Sequence, residues 1–225
     1  MSFTRLKNPV SVIDPILSQR ILQHSYWKEE CYGLNEAGVA EKALSLSYIG
    51  GSYSIYLKPT PFLCLLYKLL QLNPVPEIIL NLFHQNKYKY IRALAMFYIR
   101  LVFKPQFVYT LLDQMYMDYR KLRVRYPHGW EVTHVDEYTH GLLNARRMFD
   151  VTLPYLPLRA NVGVPPRVSP LEEILTAEEC QEALGKLVVE MKEEVFEVEG
   201  DGSLSDEIRR ENALRASLGL KPLKD

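Results

Sequence analysis

The residues able to act as nucleophile, base or ligand are few in this sequence and poorly spaced for those tasks. Gly50-Gly51-Ser52 is the stretch that most invites a phosphate-binding reading. It has neither the GxxxxGK[ST] spacing that wraps backbone N–H groups around phosphates nor the GxGxxG pattern of a dinucleotide turn, so it reads as a plain turn. His134, Asp136 and His140 lie close in sequence, but no two histidines are four apart, the spacing that stacks two ligands on one helical face. Surface or capping roles explain them. Cys31 or Cys64 with a histidine could imitate a nucleophile and its base. Cys64, however, sits in the most apolar stretch, FLCLLYKLLQL, where a thiolate is disfavoured. Glu29-Glu30 and the glutamates near the C-terminus offer carboxylates without a second group at a defined distance. No catalytic residue, metal site or cofactor is assigned, no small-molecule substrate is indicated, and the chain is expected not to be an enzyme.

What stands out instead is charge and aromaticity. The net charge is formally zero, yet residues 87–125 hold nine Lys/Arg against two acids, and residues 171–200 hold ten Glu against two Lys. A whole-chain isoelectric point conceals this polarity. Of fifteen tyrosines, seven fall within residues 88–126, interleaved with the basic residues. Tyr116, Tyr119, Arg120, Lys121, Arg123 and Arg125 are the candidate interface residues. Large amphipathic rings suit core packing and protein interfaces, while a basic and aromatic mixture also suits stacking on RNA, so all three uses stay open.

The elements that must carry these residues read mainly as helices. Asp14 caps and Pro15 opens a first helix, Glu36–Ser47 gives a second, and Thr60-Pro61 starts a third that is apolar on nearly every side and belongs at the centre of the domain. Asn73-Pro74-Val75-Pro76 breaks it and introduces a short helix, Glu77–His84; YKYIRALAMFYIRLV follows as a long amphipathic one, ended at Lys104-Pro105. Phe107, Val108, Leu111, Leu112, Met115, Tyr116, Tyr119 and Leu122 recur at steps of three and four, predicting one more helix whose basic last turn complements its dipole. Trp130-Glu131-Val132-Thr133 alternates briefly, as one small strand or hairpin would. The expected fold class is therefore all-α, with a helical body over 1–153. A Pro-rich strap over 154–175 is expected to leave that body, followed by an acidic amphipathic helix at 176–199 and a terminal helical element at 203–225.

Three widely separated cysteines fit a reducing compartment, the N-terminus shows no secretory h-region, and no run approaches the roughly 18 apolar residues of a membrane span. A nuclear or cytosolic chain with no membrane partner is expected.

A resemblance sharpens this reading. RILQHSYWKEECYGLNEA (20–37), YIGG (48–51), LKPTPFLCLLYKLLQLNP (57–74), YKYIRALAMFYIRL (88–101), MYMDYRKLR (115–123), THVDEY (133–138) and PRVSPLEE (166–173) resemble, in order, segments of the pre-mRNA-splicing factor 38 family. The likeness covers about residues 10–173. It departs where LVFKP (101–105) replaces an LTGT-like turn, and in lacking the Arg-Ser-rich tail of some relatives. It implies a helical, non-catalytic spliceosomal scaffold in the nucleus, joining with the tri-snRNP or at the pre-catalytic B stage and needed for activation. Its implied partners are other splicing proteins, including B-complex-specific factors. The alternative is an RNA-binding splicing protein that contacts RNA through 87–125, lying near snRNA without sequence-specific readout.

The C-terminus is similar to the short element that binds a Hub-type ubiquitin-like splicing modifier, with NALRASLGLKPL (212–223) as its core. Leu214 and Leu218 would share one helical face, Gly219 would end the helix, and Leu220 would pack back. The resemblance implies that Arg215 forms the salt bridge to the modifier, which gives Leu214, Arg215, Leu218 and Leu220 as its binding residues.

Overall fold

The structure is a computed structural model and describes residues 8–167. Its helices are α1 (Pro15–Gln23), α2 (Glu36–Leu44), α3 (Pro61–Leu72), α4 (Pro76–Phe83), α5 (Lys89–Val102), α6 (Pro105–Asp113), α7 (Val135–Asn144) and α8 (Arg159–Val162). The strands are β1 (Ile49–Gly50), β2 (Ser52–Tyr53), β3 (Lys58–Pro59), β4 (Lys121–Tyr126), β5 (Gly129–His134), β6 (Arg147–Met148) and β7 (Val151–Thr152).

The helix starts follow local chemistry. The Asp14 carboxylate accepts from the Ile16 N–H at 2.9 Å, and Asn35 Oδ1 accepts from Gly38 N–H at 2.8 Å. Thr60 Oγ1 accepts from Leu63 N–H at the start of α3 and donates to the Gly50 carbonyl at 2.8 Å, so one buried hydroxyl ties the helix to β1. Asn73 ends α3 in the left-handed conformation, φ 47°. α3 buries every residue from Phe62 to Leu70, and α5 buries every residue from Ile91 to Val102, which makes this pair the centre of the core. Phe62 and Phe97 meet Phe149 at 6.0 and 5.9 Å between ring centroids, and Tyr138 stacks on Phe149 at 6.0 Å. Such contacts add about 0.5–1.5 kcal/mol per pair beyond area burial.

The all-α expectation does not hold. A three-stranded sheet runs in the order β1-β4-β5, with β1 parallel to β4 and β4 antiparallel to β5; β2-β3 and β6-β7 form two further pairs. The chief departure lies at 114–126. The helical stripe read from Phe107 stops at Asp113, a 3-10 turn spans Gln114–Met117, and Leu122 belongs to a strand. The physical reason is period. Lys-Leu-Arg-Val-Arg-Tyr alternates, so Leu122 and Val124 bury while Lys121 and Arg123 face water, and Pro127-His128 closes a hairpin on β5. Lys121, Arg123 and Arg125 thus do not cap a helix end; they stand on one face of a sheet.

The Pro-rich segment stays on the body as far as Pro166 rather than leaving it at 154. Tyr109 Oη donates to the Pro157 carbonyl at 2.9 Å, Gln106 Nε2 to the Val162 carbonyl at 3.2 Å, and Arg159 makes two 2.6 Å bonds to the Asp113 carboxylate while lying over the Tyr109 ring. The acidic stretch 176–199 and the terminal element 203–225 lie outside the described residues.

Candidate interaction surface

The register of the β4–β5 hairpin sorts its side chains between two faces. Val124 pairs with Glu131 and Leu122 with Thr133 on the core side. Lys121 pairs with His134, Arg123 with Val132, and Arg125 with Trp130 on the outer side. The outer face therefore carries three cations and two exposed apolar side chains, Trp130 at 50% and Val132 at 62% exposure. The guanidinium carbons of Arg123 and Arg125 stand 4.8 and 4.7 Å from the Trp130 ring centroid, and Arg125 also lies 5.7 Å from the Tyr53 ring. Tyr48 meets Trp130 edge-on at 5.0 Å. β1 supplies the floor beside Arg125, and Gly50 is there because nothing larger fits: a Cβ would fall 2.4 Å from the Arg125 carbonyl oxygen.

The six candidates read from the sequence separate into three groups. Lys121, Arg123 and Arg125 share the outer face. Arg120 turns away from it: its Nε donates to the Asp118 carboxylate at 2.8 Å, and its NH1 to the Asn86 carbonyl. Asp118 also receives Arg92 NH1 at 2.8 Å, and Arg92 Nε donates to the Phe83 carbonyl at 3.1 Å, with its NH2 on Asn86. Arg120 thus completes a largely buried knot that joins the ends of α4, α5 and the 3-10 turn. Burial alone would raise the Asp118 pKa, but the hydrogen bonds from Arg120 and Arg92 outweigh it, and the carboxyl is held below its ordinary value. Tyr116 stands elsewhere again, in a groove with His140, whose Nδ1 is 3.4 Å from its hydroxyl. Tyr119 is 65% exposed at the rim of the Arg92–Arg120 cleft. Tyr48, Tyr53 and Trp130 complete the outer face and were not read from the sequence. The signal that could have found them is the two-residue alternation of 121–126 set against Trp130 and Val132.

Gly51, Cys31, Cys64, His134 and His140, considered above for chemistry, have structural surroundings. Gly51 backs onto the β6–β7 turn, where a Cβ would fall 2.7 Å from Asp150 Oδ2 and from the Phe149 carbonyl carbon. Asp150 accepts from the Ser52 N–H at 2.7 Å, so the glycine pair is packed against protein on the side where a phosphate would need free N–H groups. Burial pushes the Cys31 thiol up to about 11 and the Cys64 thiol higher still, which disfavours a thiolate at either. His134 sits at the start of α7, where its backbone N–H donates to Glu137 Oε2 at 3.0 Å, and His140 is approached by the Asn144 amide at 3.1 Å. Leu214, Arg215, Leu218 and Leu220 lie outside the described residues.

Comparison with known proteins places this arrangement. A sequence profile of the PRP38 family matches residues 4–163. Pre-mRNA-splicing factor 38A of Xenopus tropicalis is 41% identical over 180 residues, covering 78% of this chain and 58% of that protein. The Homo sapiens factor 38A is 40% identical over 171 residues, covering 74% and 55%, and pre-mRNA-splicing factor 38 of Arabidopsis thaliana is 39% identical over 171 residues, covering 74% and 48%. The chain spans about half the length of these relatives. Among solved structures, a chain from the Snu23-Prp38-MFAP1(217-258) complex of Chaetomium thermophilum superimposes with a TM-score of 0.75 at 34% identity, over 84% of this chain and 99% of that one. Match length, identity and fold agree, and the chain belongs to the PRP38 family.

Proposed function

We propose that this protein is a non-catalytic scaffold of the spliceosome, required for pre-mRNA splicing and acting in the nucleus at the tri-snRNP or pre-catalytic B stage. The observation that carries the reading is the superposition, at 34% identity, on a chain of a complex that also contains Snu23 and MFAP1. The relatives' names, all pre-mRNA-splicing factors, point the same way. The site chemistry agrees with a scaffold. Burial disfavours the thiolate at Cys31 and Cys64, the glycine pair is packed against protein, and the conspicuous surface among the described residues is a sheet face fit for contact. On this reading, partners equivalent to Snu23 and MFAP1 bind the body.

The scaffold also recruits a ubiquitin-like splicing modifier through residues 203–225, with Leu214, Leu218 and Leu220 packing on it and Arg215 pairing with one of its acids. What supports this is the sequence NALRASLGLKPL. A pull-down from nuclear extract tests both halves: the full chain is expected to capture splicing proteins, and removal of 203–225 is expected to lose the modifier alone. By calorimetry with a 203–225 peptide, Arg215→Ala should weaken modifier binding by about 1–3 kcal/mol through loss of a charge-assisted contact. Leu218→Ala should weaken it by about 1–3 kcal/mol through lost apolar burial. No binding by the wild-type peptide, or unchanged affinity in both variants, removes the recruiting role and leaves the scaffold reading to the first arm.

A further inference from the structure

We propose that the outer face of the β4–β5 hairpin is a binding platform for single-stranded RNA. The first observation is the separation of charge by face. Lys121, Arg123 and Arg125 all stand on the outer side of β4, and the residues paired with them there are His134, Val132 and Trp130, so none of the paired positions is acidic; the Glu137 carboxylate, beside His134 at the Lys121 end, is taken up by the Thr133 hydroxyl and the His134 N–H. Among the described residues none of these three cations is in an ion pair, whereas Arg92 and Arg120 are bound to Asp118 and Arg159 to Asp113. Elsewhere on the body, then, these arginines are neutralised at close range. On this face the positive charge is left for something else.

The second observation is what the cations lie on. Both guanidinium groups sit within 5 Å of the Trp130 centroid, Arg125 reaches Tyr53 as well, and Tyr48 braces Trp130 edge-on. Trp130 nevertheless keeps half of its surface in water. A half-exposed indole interleaved with planar cations offers two things at once: flat surfaces on which bases stack, and fork-shaped donors for phosphate oxygens. An acidic peptide would use the charges but has no flat rings for the indole and the guanidinium planes. A duplex hides its base faces and would use the charges alone. The occupant that uses both features is an unpaired polynucleotide strand. β5 has β4 as its strand neighbour and forms the open margin of the sheet, so a strand can lie across the face without displacing protein. The choice of RNA rests on the splicing role proposed above; the placement of the surface does not.

The test is fluorescence anisotropy of the full chain with a labelled, unstructured single-stranded RNA of about 12 nucleotides, inside the range of site sizes of small stacking platforms. Saturable binding is expected at low salt. Lys121→Ala should lower the slope of log affinity against log salt by about 0.7, the loss of one phosphate contact on a single strand. Trp130→Ala should weaken binding about tenfold through loss of stacking, while Trp130→Phe, which keeps a ring, should stay within about threefold of wild type. Arg123→Gln with Arg125→Gln, both at outward positions, should weaken binding more than Trp130→Ala and serves where that variant fails to fold, which thermal melts of each protein decide. Three results overturn the proposal: no saturable RNA binding at low salt, affinity unmoved by the Arg123/Arg125 pair, or competition by a polyglutamate peptide of equal length as effective as unlabelled RNA. The last would make the face an acidic-peptide site. Any of these, with splicing proteins still captured in the pull-down, would leave the scaffold reading standing.

Discussion

Replacing Arg92 by methionine is expected to lower the stability of the body by about 3 kcal/mol, although the new side chain is apolar and of similar length. Arg92 is 6% exposed, yet its guanidinium bonds to the Phe83 carbonyl, to Asn86 and to Asp118, whose own side chain is 10% exposed. Removing one partner of a largely buried pair strands the other, a cost of about 3–5 kcal/mol; the low end applies because Arg120 remains on Asp118. Urea unfolding should show a lower midpoint with an unchanged slope. The knot also carries a pH signature. Asp118 has a folded-state pKa below its ordinary value, so its contribution is fully present above the unfolded-state value of about 3.9 and is lost as pH falls through the folded value below it. Asp118→Asn should therefore be less stable than wild type at neutral pH, and the difference should shrink in acid below about pH 4.

Gly50→Ala is expected to do as much harm with a single methyl group. The position has φ 154°, and the added Cβ would stand 2.4 Å from the Arg125 carbonyl oxygen, a backbone atom held by the β1–β4 and β4–β5 pairings. Relief requires β1 to separate from β4, which also withdraws the Gly50 carbonyl from the buried Thr60 hydroxyl at the head of α3. Loss of that bond alone is worth about 1 kcal/mol, and the displacement of packed strands adds about 1–3 kcal/mol. Gly51→Ala meets the Phe149 backbone and the Asp150 carboxylate and should behave alike. In thermal melts both variants should lose stability. If either variant melts with wild type, the close approach of β1 to its neighbours is wrong.

These two sites show where sequence reasoning reaches and where it stops. The helices that begin with a capping side chain and a proline are legible: Asp14-Pro15 and Thr60-Pro61 open α1 and α3, and the unbroken apolarity of FLCLLYKLLQL identifies the central helix, whereas Pro105, which reads as the end of one helix, also opens α6. The sheet was not legible in the same way. β1 is two residues long and pairs with a strand more than seventy positions away, so its partner has no local signal. At 114–122, Met115 and Leu122 are both buried and happen to be seven apart, a helical interval, although one lies in a 3-10 turn and the other in a strand. The same confusion placed Arg120, Lys121, Arg123 and Arg125 in one basic cluster. Alternation would have separated them, since Arg120 precedes the strand and is drawn down to Asp118, whereas the three that follow project together with Trp130. Gly50 and Gly51 were recognised as structural, but the reason, contact with chain 75 and about 100 residues later, could come only from the fold.

The family assignment also changes the weight of the surface features. The proposed scaffold role would need a rigid body with faces of distinct character. Here the Arg92–Asp118–Arg120 knot and the α3–α5 core supply the rigidity, and the hairpin supplies one such face. The measurement that bears most directly on the scaffold account is complementation of a splicing extract depleted of this protein. The account predicts that pre-catalytic complexes accumulate on a labelled pre-mRNA after depletion, and that adding back the full recombinant chain in stoichiometric, not catalytic, amounts restores activation and spliced product. Unimpaired splicing in the depleted extract, or full rescue by a small fraction of the stoichiometric amount, would contradict it.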